Sequence, residues 1–290
     1  MKRLYYLCLV SLVVGTLHAA DTITMADLPY FFDFEDQTEM SNWTLNREAA
    51  TPNEWHVGAY DAYTGQYSMY VSCDSGKTNT YTGASNIVVA YRPVRLDAGE
   101  YDIAFDYKGE GNGNNGFLKI FLTNRPESQI KCLASFSEPT WYSSAVNCLN
   151  KIQKLNGATK WLHYQDKFTF PAAYDNKNMF LVLAWENNSS KVDYSSIMLD
   201  NLQIAKKPSN NSYPNNVYVS TNVLGASVAW LGSADSYDIR YRNKEDTVWY
   251  ATSSTEAKVD LPGIQSGAYE FWISGTKGQD KSVYTVFPTV

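Results

Sequence analysis

Apolar and polar residues alternate along most of this chain with a period of two, which is the signature of half-buried strands. Gly99 to Tyr107 shows it most clearly: Tyr101, Ile103, Phe105 and Tyr107 share one face, and Asp102 and Asp106 the other. Asn86 to Tyr91, Phe117 to Leu122, Lys167 to Phe170 and Met179 to Trp185 also read as strands. Phe32 to Asp36 and Ser195 to Ile204 predict two more, apolar runs that carry Glu35 and Asp200 respectively. One segment departs from the pattern. Trp141, Ala145, Cys148, Leu149, Ile152 and Leu155 recur at helical spacing and predict a short amphipathic helix over about 140–155. The glycine-rich run Gly109 to Gly116 is followed by a strand, whereas a phosphate cradle needs a helix at that point, so a flexible hairpin loop is expected.

Lys206 to Ser212 is polar and breaks the alternation, as a linker does. Beyond it, Val217 to Val219, Ala226 to Trp230, Tyr237 to Arg242, Ala257 to Leu261, Tyr269 to Ile273 and Ser282 to Val286 give short strands at close, regular spacing. The expected class is all-β: one β-sandwich over 21–206, a linker over 207–212 and a second β-sandwich over 213–290.

Residues 1–20 read as an export signal. Lys2 and Arg3 supply its basic start, Leu4 to Leu17 its apolar stretch, and Ala19-Ala20 small residues for cleavage. Tyr6-Leu7 stand before Cys8 where a lipoprotein signal has small residues, so no lipid anchor is expected. No later run is long and apolar enough to span a bilayer. The leader is read as a natural start, and the last strand runs to Val290 with no sorting tail. Without Lys2 and Arg3, 22 basic residues face 30 acidic ones, a mature net charge of about −8. That balance argues against nucleic acid and anionic membranes as partners and suits a secreted or cell-surface protein.

Several short motifs stand in a recognisable order. Phe32-Asp33-Phe34-Glu35-Asp36 opens the first region and Ser195 to Ile204 closes it. Between them lie Trp55, Gly65 to Ser72, Trp161, Phe168-Thr169-Phe170-Pro171 and Ala184 to Asn188. Together, residues 28–206 resemble the secreted jelly-roll modules of the cleaved-adhesin, choice-of-anchor and MAM-like group of Bacteroidetes surface proteins. The 124–160 region is longer than that pattern. Residues 213–290 resemble a fibronectin type III (Ig-like) domain: Trp230 stands at the core tryptophan, and Leu261 to Tyr269 match the leucine-to-tyrosine corner. The resemblance implies a jelly roll followed by a fibronectin type III sandwich. It also implies modules that bind other molecules and do no chemistry. Structural calcium is often bound in such jelly rolls, and Glu35 and Asp200 stand at the matching positions, with carbonyls near Gly65 to Ser68 completing the shell.

The residues themselves offer little for catalysis. The mature chain has two histidines, His56 and His163, and neither Gly-x-Ser-x-Gly nor His-Glu-x-x-His occurs. With no Cys-x-x-Cys, a structural zinc site is not expected. Cys132 and Cys148, 16 positions apart, either close a disulfide in an oxidising exterior or stay buried thiols along with Cys73. Sugar binding rests on aromatic faces outside the strand cores: Tyr60, Tyr63, Trp141, Tyr142, Trp161 and Tyr164. The expected function is non-catalytic adhesion or capture of an extracellular glycan or a host or matrix protein. The alternatives are an accessory portion of a larger secreted peptidase or glycoside hydrolase, and a structural component of a surface assembly.

Overall fold

The computed structural model describes residues 20–46, 51–83, 86–111, 116–131, 157–170, 172–187, 195–207, 213–222 and 224–287. Within them the chain is nearly all strand. The first region contributes β1 (Ile23–Thr24), β2 (Tyr30–Phe32), β3 (Thr44–Leu45), β4 (Glu54–Gly58), β5 (Ser68–Ser72), β6 (Asn86–Arg95), β7 (Gly99–Gly109), β8 (Phe117–Thr123), β9 (Ala158–Phe170), β10 (Met179–Asn187) and β11 (Met198–Lys206). The second contributes β12 (Asn215–Asn222), β13 (Gly225–Leu231), β14 (Ser236–Asn243), β15 (Tyr250–Ser254), β16 (Lys258–Pro262), β17 (Tyr269–Lys277), β18 (Asp280–Lys281) and β19 (Thr285–Phe287). Two short helices, α1 (Gln37–Met40) and α2 (Glu127–Lys131), lie in connections.

The strands form four sheets. The first runs β1-β6-β10-β8, with β3 also on β6, and the second runs β4-β5-β11-β7-β9, with β2 on β11. The third is β12-β13-β16, and the fourth is β15-β14-β17-β18, with β19 also on β17. Side chains from alternate positions fill the space between the first two sheets, among them Phe32, Trp55, Phe105, Leu183 and Trp185. Val228, Trp230, Tyr237, Ile239, Phe271 and Ile273 fill the space between the last two. The continuous apolar runs of β6 and β10 have a physical reason. Val88 and Ala90 face the core, while Ile87, Val89, Tyr91, Val182 and Ala184 form a second buried layer on the outer side with Ile130 of α2.

The outer faces of the second and fourth sheets pack on each other. Ala104 and Ala205 of the second sheet point away from their own core, yet they are buried against Val283 of the second region. The molecule is therefore a stack of four sheets. Its two outer interlayers are apolar, and the middle one is polar.

Two strand expectations are corrected, and one strand is new. The first acidic strand ends at Phe32; Phe34 then takes φ +64°, and Asp36 caps α1, so Glu35 sits in a turn and not on a strand. The strand expected over Lys167 to Phe170 is 13 residues long, because it pairs along nearly the whole of β7. The strand at Tyr250–Ser254 carries no strong alternation and was not expected. The predicted helix over about 140–155 lies outside the described residues, as do Cys132, Cys148, most of the export signal and most of the linker.

Candidate functional site

The middle layer is the chemically richest part of the molecule, and the loop Gly58 to Ser68 stands at its edge. Two carboxylates hold that loop. Asp200 of β11 accepts from the N–H groups of Tyr63 (2.8 Å) and Thr64 (2.9 Å) on Oδ2, and from its neighbour Asn201 (2.7 Å) on Oδ1. Glu35 Oε1 accepts from the N–H groups of Gln66 (2.7 Å) and Tyr67 (2.6 Å). Gly65 lies between these anchors at φ +66°, and a Cβ there would stand 2.4 Å from Glu35 Oε1, so any other residue would strain the backbone and displace the carboxylate. Asp61 adds a third tie through Lys108 Nζ at 2.7 Å.

Asp200 is fully buried at a β-bulge, where the pairing of β11 with β7 slips between Asp200 and Gln203 and Asn201 takes φ +53°. The bulge turns Asn201 inward. Its Nδ2 donates to Asp106 Oδ2 (2.9 Å), and its Oδ1 accepts from Thr64 Oγ1 (2.8 Å). Asp106 Oδ1 lies 3.0 Å from His163 Nδ1. Burial pushes the Asp200 carboxyl well above the usual carboxylate range; its N–H donors oppose that shift, and the nearby Asp106 adds to it. Burial raises Asp106 too, against the pull of His163 and Asn201.

The second region closes this cluster from the other side. Glu270 of β17 is buried and accepts from the Tyr63 hydroxyl and from Trp272 Nε1 (2.7 Å) on Oε1. Its Oε2 accepts from Arg242 Nε (3.3 Å) and NH2 (3.2 Å), and Arg242 NH1 donates to the Tyr63 carbonyl at 3.2 Å. The Arg242 guanidinium lies 4.9 Å from the Tyr63 ring and 4.7 Å from the Trp249 ring. Trp272 stacks on Tyr63 at 6.0 Å between centroids. Burial, then the Glu270 charge, raise the Tyr63 hydroxyl, so it stays a neutral donor. Nearby, Arg240 lies 4.6 Å from the Phe31 ring and 5.2 Å from that of Tyr284, and Tyr284 N donates to Gln203 Oε1 at 2.9 Å.

The sequence-predicted residues divide into three groups. Glu35 and Asp200 do converge on one loop, but through N–H donors. A calcium cage needs about six to eight oxygen ligands. Here five N–H groups point at the two carboxylates, so the donor set does not fit a hard cation, and no cluster of three or more His, Cys, Asp or Glu fit for a metal occurs among the described residues. Of the aromatics named for sugar stacking, Tyr63, Trp161 and Tyr164 are half-buried and engaged within the protein. Tyr63 is wedged between Trp272 and Trp161, whose Nε1 donates to Asp61. Tyr164 stacks on Phe105 at 5.1 Å and donates to Asp166. Tyr60 remains available, 48% exposed and resting on Tyr70 at 6.1 Å. Trp141 and Tyr142 lie outside the described residues, and Cys73 is a free thiol.

Sequence reasoning missed Asp106, His163, Asn201, Arg242, Glu270 and Trp272. A signal for part of this set was present. On β17, Glu270 and Trp272 occupy the polar phase of the alternation opposite Phe271 and Ile273, and a tryptophan on a strand's outer face marks a surface that is itself covered.

No family model matches the chain, and no curated protein matches it. Among solved structures, the glycoside hydrolase domain of Endo-D from Streptococcus pneumoniae R6 is similar at 16% identity and a TM-score of 0.36, over 85% of this chain and 37% of that one. The K2 cleaved adhesin domain of Lys-gingipain is similar at 15% identity and a TM-score of 0.34, over 61% of this chain and 99% of that one. The adhesin domain of Epf from Streptococcus pyogenes is similar at 12% identity and a TM-score of 0.32, over 84% of this chain and 90% of that one. The chain thus spans little more than a third of the Endo-D domain.

Proposed function

We propose that this chain is a non-catalytic recognition protein of the cell exterior, binding an extracellular glycan or a host or matrix protein. One observation carries the reading. The groups in the middle layer best suited to acid, base or nucleophilic work are largely committed elsewhere: Asp106, Asp200 and Glu270 hold two sandwiches and one loop in place, and His163 is bonded to Asp106 through Nδ1, with its Nε2 buried and unpartnered. What they hold is a rigid loop that presents Tyr60 to solvent. Ordering a binding loop before the ligand arrives removes an entropic cost from binding. An exposed tyrosine face on a fixed loop suits stacking against a pyranose ring or an apolar side chain.

The test is an array of glycans and matrix proteins probed with purified protein, repeated with Tyr60→Ala. Saturable binding that weakens about tenfold or more in the variant supports the reading. Binding unaffected by Tyr60→Ala moves the contact elsewhere on the surface. Silence on every glycan and matrix protein defeats the recognition role.

A further inference from the structure

The outer face of the second sheet is covered as far as the Asp106–His163 pair and opens just beyond it. Asp106 and His163 stand opposite each other on β7 and β9. Two positions further along each strand, on the same face, come Lys108 and Trp161. The Asp106 side chain is 1% exposed and that of Lys108 is 31%, so the cover ends between them. The loop Gly58 to Ser68 crosses the face here and brings Asp61 onto both residues. Asp61 Oδ2 accepts from Lys108 Nζ at 2.7 Å, and its Oδ1 accepts from Trp161 Nε1 at 3.4 Å. The Asp61 carbonyl accepts from Ser68 Oγ at 2.5 Å, which fixes the backbone at this point. Tyr60, the preceding residue, rests on the buried Tyr70, whose hydroxyl donates to the Gly76 carbonyl at 2.6 Å.

The ion pair keeps hydrogen-bonding capacity in reserve. A carboxylate accepts about four hydrogen bonds and an ammonium donates about three. Among the described residues, the Asp61 carboxylate has two partners and Lys108 Nζ has one. About two acceptor sites and two donors are therefore left side by side, on side chains each about one third exposed. The exposed Tyr60 ring flanks them on one side and the half-buried Trp161 ring on the other.

We propose that this opening is a saccharide site that takes an uncharged pyranose of a neutral glycan. Tyr60 meets the apolar face of the sugar, Asp61 and Lys108 bond neighbouring hydroxyls, and Trp161 bounds the site on the β9 side. The inference rests on the recognition reading above and narrows it to one ligand class. A pyranose carries an apolar C–H face and a rim of hydroxyls that both donate and accept, which is what an aromatic ring beside a carboxylate–ammonium pair can use together. The two charges cancel, so the site offers no excess positive charge to a sialylated or sulfated sugar, and the net charge of −6 opposes one. Because each charge is already partnered, a sugar adds hydrogen bonds without stranding either group.

The test is an array of neutral, sialylated and sulfated oligosaccharides, with collagen and fibronectin beside them, probed with the purified protein at low and high salt. Saturable binding to neutral oligosaccharides, unchanged by salt, is expected. Asp61→Asn and, separately, Lys108→Met are expected to weaken it about tenfold or more with melting temperature little changed. Tyr250→Ala, at an exposed tyrosine of the second region, is expected to leave it intact. Binding only to charged glycans, or only to the matrix proteins, overturns this inference and leaves the recognition reading standing. Neutral-glycan binding that survives both Asp61→Asn and Lys108→Met in folded form overturns it as well. Silence across the whole array overturns the inference and the recognition reading together.

Discussion

The two outer interlayers of the stack and the middle one solve the same packing problem with opposite chemistry. Between the first and second sheets, and again between the third and fourth, the filling is aliphatic and aromatic. Between the second and fourth sheets it is Asp106, His163, Asp200, Glu270, Arg242, Tyr63 and Trp272, with Ala104, Ala205 and Val283 as an apolar patch and Phe31 edge-on to Tyr284. Apolar burial is non-directional and tolerates many relative placements of two surfaces. Hydrogen-bonded charges tolerate few, because each displaced partner leaves a buried group unsatisfied. The middle layer therefore contributes less net stability per unit area and more orientation. That is what a protein needs when the loop presented at the junction must stay in one place.

The sharpest way to break this contrast is Glu270→Ala. It strands Arg242 in a half-buried site and frees the Tyr63 hydroxyl and Trp272 Nε1 at once. A loss of about 3–5 kcal/mol is expected, as for other buried pairs broken on one side. Chemical denaturation is expected to change from one transition to two as the sandwiches uncouple. The double variant Glu270→Leu with Arg242→Met is expected to recover most of the loss. A loss under about 1 kcal/mol from the single variant would place the pair among weak surface contacts instead.

This contrast also sets what could be read from the sequence. Period-two alternation follows from the pleat, so Gly99 to Tyr107 announced β7 and its inward face directly. The same alternation put Asp102, Ala104 and Asp106 on the outer face, where solvent is the default reading; they are buried because the second region covers that face, Tyr213 at Asp102 and Val283 at Ala104 among its contacts. No local pattern encodes that cover. Glu35 and Asp200 were legible as acids on apolar runs and do meet on one loop. Their donors were not legible, because backbone N–H groups are the same at every residue and only the path of the loop aims them.

The next effect depends on pH. The Asp200 carboxyl is raised well above its ordinary value and that of Asp106 is also raised, both chiefly by burial. The folded state therefore keeps protons that the unfolded chain has already released. Their contribution to stability is fully present below the unfolded carboxylate value of about 4 and is lost as pH rises through the folded values. Wild type measured against Asp200→Asn, by denaturant unfolding at stepped pH, is expected to lose relative stability from acid toward neutral pH. A flat difference would mean that the N–H donors hold the carboxylate charged despite its burial.

Gly65→Ala sharpens the comparison at the loop. The new Cβ would meet Glu35 Oε1 at 2.4 Å from a backbone at φ +66°, and a loss of about 1–3 kcal/mol is expected. Gly263→Ala is the control: its φ is +74°, with nothing within 4 Å of the added carbon, so it pays for backbone strain alone, about 1 kcal/mol. Thermal unfolding of both variants separates the clash from the strain. Equal losses would show that Glu35 simply swings away and that its hold on Gln66 and Tyr67 is weak.

Calcium is expected to produce the smallest effect of all. To bind it between Glu35 and Asp200, the loop would have to turn carbonyls toward the two carboxylates and withdraw the N–H groups of Tyr63, Thr64, Gln66 and Tyr67. The Gln66 N–H is exposed and water can take it; those of Tyr63, Thr64 and Tyr67 are part-buried, and each left without an acceptor costs up to about 1–3 kcal/mol, against which the ion's gain must compete. Melting temperature is therefore expected to be the same in excess calcium and in chelator. A calcium-dependent rise that vanishes in Glu35→Ala would show that the loop has a second conformation with its carbonyls inward. The two carboxylates would then exchange backbone donors for a cation, and the middle layer would hold the loop in either of two states instead of one.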